Sequence, residues 1–156
     1  MTSIQARLKE QVPDLKYIDK DWGQLDTEIP AVNWPCCLID IESVEYGDGR
    51  AEQTADATVL LTIADMRTAS SSSDATPAQV AEAYSTIDLV EAVAAKLHLF
   101  TNGSFAPLVR RSFKRIAAGT GYECYQMTYV TAYRCEYPPN KVLVRATPVI
   151  NAGIDD

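Results

Sequence analysis

The side chains able to do chemistry are few and scattered: Cys36, Cys37, Cys124 and Cys135, a single His98, the acids Asp40, Glu42 and Glu45, and the cations Arg110, Arg111, Lys114 and Arg115. The cysteine spacings include no C-x-x-C and no Cys/His group of metal-ligand form, and one histidine leaves the common zinc sites short of ligands. His98 sits in the apolar run KLHLF with no partner for general-base work, so it reads as a packed or solvated helix-end imidazole. Adjacent Cys36 and Cys37 are the best candidate nucleophiles, because an exposed thiol beside a cation ionises readily. Asp40 and Glu42 oppose that ionisation, and vicinal residues on a strand point to opposite faces. G-x-S-x-G, a Walker lysine after a glycine loop and H-E-x-x-H are all missing. The expectation is reduced structural thiols, with no catalytic, cofactor-binding or metal-binding residue.

Charge is distributed unevenly along the chain. Residues 1–100 hold 7 Lys and Arg against 17 Asp and Glu, whereas residues 101–150 hold 7 against 2. Arg110, Arg111, Lys114 and Arg115 concentrate the positive part in LVRRSFKRI, and Asp40, Glu42 and Glu45 mark the wet side of an earlier strand. Such polarity suits head-to-tail contact between copies, in which a basic flank meets the acidic flank of the next subunit and the rotation closes a ring. A solvated basic strand with acidic neighbours in the same molecule accounts for the pattern equally well.

These groups must be positioned by a chain of 156 residues, the size of one domain. With 47% hydrophobic and 22% charged residues it has ordinary globular composition, which excludes wholesale disorder. A net charge of −7 disfavours nucleic-acid readout, which needs clustered cations to release counterions from phosphate. The first residues, MTSIQARLKEQ, carry no apolar run of signal-peptide length, and no stretch of 18 apolar residues occurs. The chain is expected to be soluble and to stay in the cytosol.

Ile4, Leu8 and Val12 predict a short amphipathic helix, capped at Thr2 or Ser3 and stopped near Pro13. A brief strand over Leu15–Ile18 precedes an irregular loop around Trp22-Gly23. PCCLIDIESVEY alternates with period two, changing phase at Val44 as a bulge would, and turns through Gly47-Asp48-Gly49 into QTADATVLLTIAD. Together they predict a long antiparallel hairpin. Four serines between Met66 and Thr76, Ser71 and Ser72 among them, predict a mobile surface loop. Thr76-Pro77-Ala78-Gln79 starts the principal helix as a capping box with proline at its first position. Val80, Ala83, Tyr84, Ile87, Val90 or Glu91, Ala94 and Leu97 mark its buried face, and Asn102-Gly103 its end. Ser85-Thr86 with Asp88 resembles a second cap, leaving one rod or a kinked pair open. Val109–Ile116 then pairs with GYECYQMTYVTAYRCEY across Gly119-Thr120-Gly121, Pro138-Pro139 ends that strand, and KVLVRATPVI reads as an edge strand. The fold class is α+β, with helices packed on a mainly antiparallel, twisted sheet built from two hairpins.

This element order, from the N-terminal helix through PCCLIDIESVEY, TVLLTIAD, KLHLF and LVRRSFKRI to YQMTYVTAYRCEY, resembles the tail terminator and tail-completion proteins of long-tailed bacteriophages and prophages. The resemblance covers most of the chain and rests on order, size and hairpin character, without a chemical motif to match residue by residue. It implies a structural virion protein that forms a ring, commonly hexameric, at the head-proximal end of the tail tube, ends tube polymerisation and meets the head. The implied partners are further copies of the chain, the tube protein and head-tail connector proteins, with no cofactor, nucleic-acid readout or membrane. A neck or minor tail protein of similar fold is the nearest alternative. A cofactor-free cysteine enzyme and a monomeric ligand-binding module are the others.

Overall fold

The computed structural model describes residues 1–47, 52–116 and 121–136. Ile4 and Leu8, one helical turn apart, are the two buried residues of helix α1 (Thr2–Gln11). Its first amides, those of Ile4 and Gln5, donate to the Met1 carbonyl, so Met1 is the N-cap and Thr2 and Ser3 are not. Strand β1 (Tyr17–Lys20) begins two residues later than its apolar residues suggest. The Lys16 amide donates to the Pro35 carbonyl at 2.9 Å, which sets where pairing starts, and Leu15 is left to pack in the core.

Strands β2 (Cys36–Tyr46) and β3 (Glu52–Met66) form the antiparallel pair that their alternation predicts. Its register slips between Ile41 and Ser43, where the sequence changes phase. Thr76 caps helix α2 (Pro77–Leu97) reciprocally: the Gln79 amide donates to Thr76 Oγ1 at 3.4 Å, and the Thr76 amide donates to Gln79 Oε1 at 2.9 Å. The helix is one unbroken segment of 21 residues.

It ends at Leu97, before Asn102-Gly103. His98 is already extended, and Leu99 takes a left-handed φ of 64°. The Leu99 amide then donates to the Leu108 carbonyl and the Leu108 amide to Phe100, tertiary bonds that replace further helical turns. The buried face keeps Val90, Ala94 and Leu97 of the expected one and adds three residues to it. Thr86, Leu89, Val90, Val93, Ala94 and Leu97 are inside, while Tyr84 is 52% exposed. Val80, Ala83 and Ile87 are half-buried, Ile87 against the core, so the stripe counted from Val80 lies on the inward side and is turned toward Thr86, Leu89 and Val93, with Tyr84 left outside.

Strands β4 (Val109–Ile116) and β5 (Tyr122–Glu136) pair antiparallel, with a slip between Arg110 and Ser112. Among the described residues the sheet has five strands in the order β1-β2-β3-β5-β4, and β1 runs parallel to β2, so it is mixed. Its centre is the antiparallel register from Glu52↔Glu136 to Met66↔Tyr122. The architecture is α+β, and among the described residues two helices lie on a mixed sheet and no helix is long and apolar enough to cross a membrane. The turns through Asp48-Gly49 and Gly119-Thr120, the Pro138-Pro139 stop and KVLVRATPVI lie outside the described residues.

One face of the sheet packs under both helices: Cys37, Ile39, Val59, Leu61, Ile63, Tyr125, Met127 and Tyr129 meet Ile4, Leu8, Leu89, Val93 and Leu97. The opposite face is covered at one end, where Cys36, Ala64 and Cys124 lie beneath Leu25, Val32, Trp34 and Tyr122. The covering loop is held by buried Gln24, whose Nε2 donates to the Lys20 carbonyl at 2.8 Å, and by Tyr122, whose hydroxyl donates to the Leu25 carbonyl at 2.9 Å. Two substitutions calibrate this packing. Leu97→Ala removes a fully buried side chain and is expected to cost about 2–5 kcal/mol. Thr76→Ala removes an exposed cap and is expected to cost about 1 kcal/mol. Urea denaturation reads both as a lowered midpoint at unchanged slope.

Candidate functional site

β4 is an end strand of the sheet, paired on one side only among the described residues. Alternation sends Arg110, Phe113 and Arg115, opposite Tyr129, Met127 and Tyr125, to the helix-covered face. Val109, Ser112, Lys114 and Ile116 take the other face, with Arg111 at the register slip. Phe113 stacks on Tyr125 with ring centroids 5.5 Å apart, yet stays 43% exposed. Arg110 is the cation engaged within the molecule: its guanidinium lies 3.0 Å from Glu91 on α2, a partly exposed pair worth at most about 1 kcal/mol. Arg111, Lys114 and Arg115 are exposed and make no ion pair among the described residues.

The acids lie at the other end of the strand order. β1 covers β2 from Cys36 to Ile39, and the Asp21 amide adds a last bond to the Ile39 carbonyl at 2.9 Å. From Asp40 to Tyr46 the outer edge of β2 has no described strand beside it. Asp40 Oδ1 accepts from the Ile41 amide at 2.8 Å, while Glu42 and Glu45 are exposed. The structure thus brings the predicted acidic set and basic set to two different sheet edges.

Two concavities join members of these sets. On the face away from the helices, Glu45 and Asp56 share a hollow of about 480 Å³ with Arg111, Val109 and Val130, and no ion pair crosses it among the described residues. On the helix side, Arg115 and Ser71 line a groove of about 230 Å³ with Arg67, Glu82, Glu123 and Tyr125. Ser72 does not line that groove. Its amide donates to Ser70 Oγ at 3.3 Å, and the nearby Thr68 hydroxyl ties the exposed loop to Glu82 at 2.9 Å.

Glu123 of this groove has a neighbour that sequence reasoning missed, Asp65, which does not itself line the groove. Asp65 and Glu123, 58 residues apart, are direct cross-strand neighbours. Burial, then the Glu123 charge, push the Asp65 carboxyl above its ordinary value. Tyr125 donates to Glu123 Oε2 at 3.1 Å, and burial followed by that bond raises its phenol. Nothing in either local sequence signals the pair, since only β3–β5 register creates it. Among the described residues no set of three or more His, Cys, Asp and Glu is arranged to hold a metal.

Cys36 and Cys37 do point to opposite faces and are fully buried. Burial, the dominant cause in each case, pushes the Cys36 thiol up to about 12, that of Cys124 up to about 11 and that of Cys37 higher still. Tyr129, also buried, is raised to about 12. His98 Nδ1 accepts from the Arg110 amide at 3.4 Å, a bond that joins the helix end to β4.

These shifts give two expected outcomes. At pH 8 a small thiol reagent should modify half-buried Cys135 first, and Cys36, Cys37 and Cys124 only as fast as the protein opens, as followed by mass spectrometry. Folded thiols titrating above their ordinary value of 9.0 stabilise the fold below pH 9 and lose that contribution as pH climbs toward 12. The urea midpoint should therefore fall steadily above pH 9.

No protein-family model matches this chain, and no curated protein matches it.

Proposed function

We propose that this chain is a non-catalytic structural protein that assembles with copies of itself head to tail, as a ring at the head-proximal end of a phage tail tube. In this reading the ring ends tube polymerisation and joins tail to head, contacting the tube protein on one side and connector proteins on the other, within the virion. A hexamer is the expected size, by the resemblance to tail terminator and tail-completion proteins.

The observation that carries the reading is the placement of opposite charge at the two ends of one sheet: Arg110, Arg111, Lys114 and Arg115 on β4, and Asp40, Glu42 and Glu45 on the uncovered length of β2. Like edges repel and unlike edges attract, so the arrangement favours heterologous contacts, which form a ring when the rotation between copies closes, over two-fold dimers. Deep burial of Cys36 and Cys37 further weakens the cysteine-enzyme alternative.

Arg110 already holds Glu91 in its own molecule, so the sensitive cations are Arg111 and Lys114. In the double variant Arg111→Glu, Lys114→Glu, the mass measured by light scattering should fall toward the 17.1 kDa monomer. Added salt should have the same effect on the unmodified protein, because exposed charges are screened beyond about 8–10 Å at physiological ionic strength. An oligomer mass unchanged by both overturns the charge-driven contact. A protein monomeric at every concentration favours the ligand-binding module.

A further inference from the structure

The two open edges match in more than charge. The uncovered length of β2, Asp40–Tyr46, is seven residues long, and β4 is eight. Three successive antiparallel pairings separate them, β2 with β3, β3 with β5 and β5 with β4, so β4 runs opposite to β2. A neighbour in the same orientation would therefore present its β4 antiparallel to this β2, the pairing that hairpin-type ladders favour. Both helices would then remain on one side of a continued sheet.

Side-chain chemistry agrees on both faces. Ile41, opposite Val59, and Phe113, opposite Met127, lie on the helix-covered face and are 44% and 43% exposed. Each is an apolar side chain at a sheet edge, of the kind a strand neighbour covers. On the other face Lys114 stands at one edge and Glu45 at the other. Four cations protect β4 against a second β4, and the acids protect β2 against a second β2, yet neither protects one edge against the other. The register slips at Ile41/Ser43 and Arg110/Ser112, and the Asp40 carboxylate on the Ile41 amide, blunt each edge at one point and leave Ser43–Tyr46 and Ser112–Ile116 regular.

We infer that β4 of one copy adds as an antiparallel strand to Asp40–Tyr46 of the next, so that the subunits share one continuous sheet through main-chain hydrogen bonds. The inference rests on the self-assembly reading above and specifies its interface.

Ser43 and Ser112 are exposed, lie on the same face of the two edges and carry no charge, so cysteine at either leaves the electrostatics intact. In a Cys135→Ser background, Ser43→Cys and Ser112→Cys are made singly and together and treated with a short flexible bis-maleimide, then separated on a denaturing gel. The double variant should give a covalent ladder. A mixture of the two single variants should give a dimer and nothing larger, and each single variant alone should stay monomeric. Dimers from either single variant alone would show like-edge pairing and overturn the inference. No cross-link in the mixture, while light scattering still reports an oligomer, would place the interface elsewhere and leave self-assembly standing. Monomer by both measurements would sink the inference and the self-assembly reading together.

Discussion

The antiparallel register of β3 with β5 is the constraint on which the rest of the structure depends. It runs unbroken from Glu52↔Glu136 to Met66↔Tyr122 and ties strands far apart in sequence into one sheet. The apolar alternation of both strands points the same way along that length, so Val59, Leu61 and Ile63 share a face with Tyr129, Met127 and Tyr125 under the helices. A slip of one residue would turn every one of them toward the opposite side. Once this pair is central, β2 and β4 are pushed outward, and with them the acids and the cations.

That outward placement converts a pattern in the sequence into a property of the surface. A run such as VRRSFKRI would be costly in the middle of a sheet, where four cations would meet low dielectric on both sides. At the end of one it stays solvated, and its backbone keeps unused donors and acceptors. β2 has the same character for a different reason: β1 is only four residues long and stops at Ile39, leaving the acidic half uncovered. The hollow shared by Glu45, Asp56 and Arg111 shows that the acidic and basic groups also approach one another across the face away from the helices, without forming an ion pair among the described residues.

The chemically reactive groups have the opposite fate. Period two puts Cys36 and Cys124 under the covering loop and Cys37 under the helices, so desolvation keeps their thiols protonated. Trp34 against Tyr122, with centroids 5.2 Å apart, and the buried Gln24 seal the end of the sheet where Cys36 and Cys124 lie. Packing there has taken the place of reactivity.

Local signals in the sequence determined much of this. The Thr76-Pro77-Gln79 start of α2, the phase change in PCCLIDIESVEY, the bounds of Val109–Ile116 and the opposite facing of Cys36 and Cys37 are all set by interactions among near neighbours, and they stand as the residues predict. Tertiary structure alone decided the early end of α2, where Leu108 takes the Leu99 amide, and the turn of its inward face, which keeps Val90, Ala94 and Leu97 but gains Leu89 and Val93 and loses Tyr84. It also decided the parallel seat of β1, the bond from Arg110 to Glu91, and the meeting of Asp65 with Glu123. The candidate edges divide the same way. Their charges were legible because composition is local, but their openness was not, since whether a strand lies at an edge depends on which distant strand has claimed its other side.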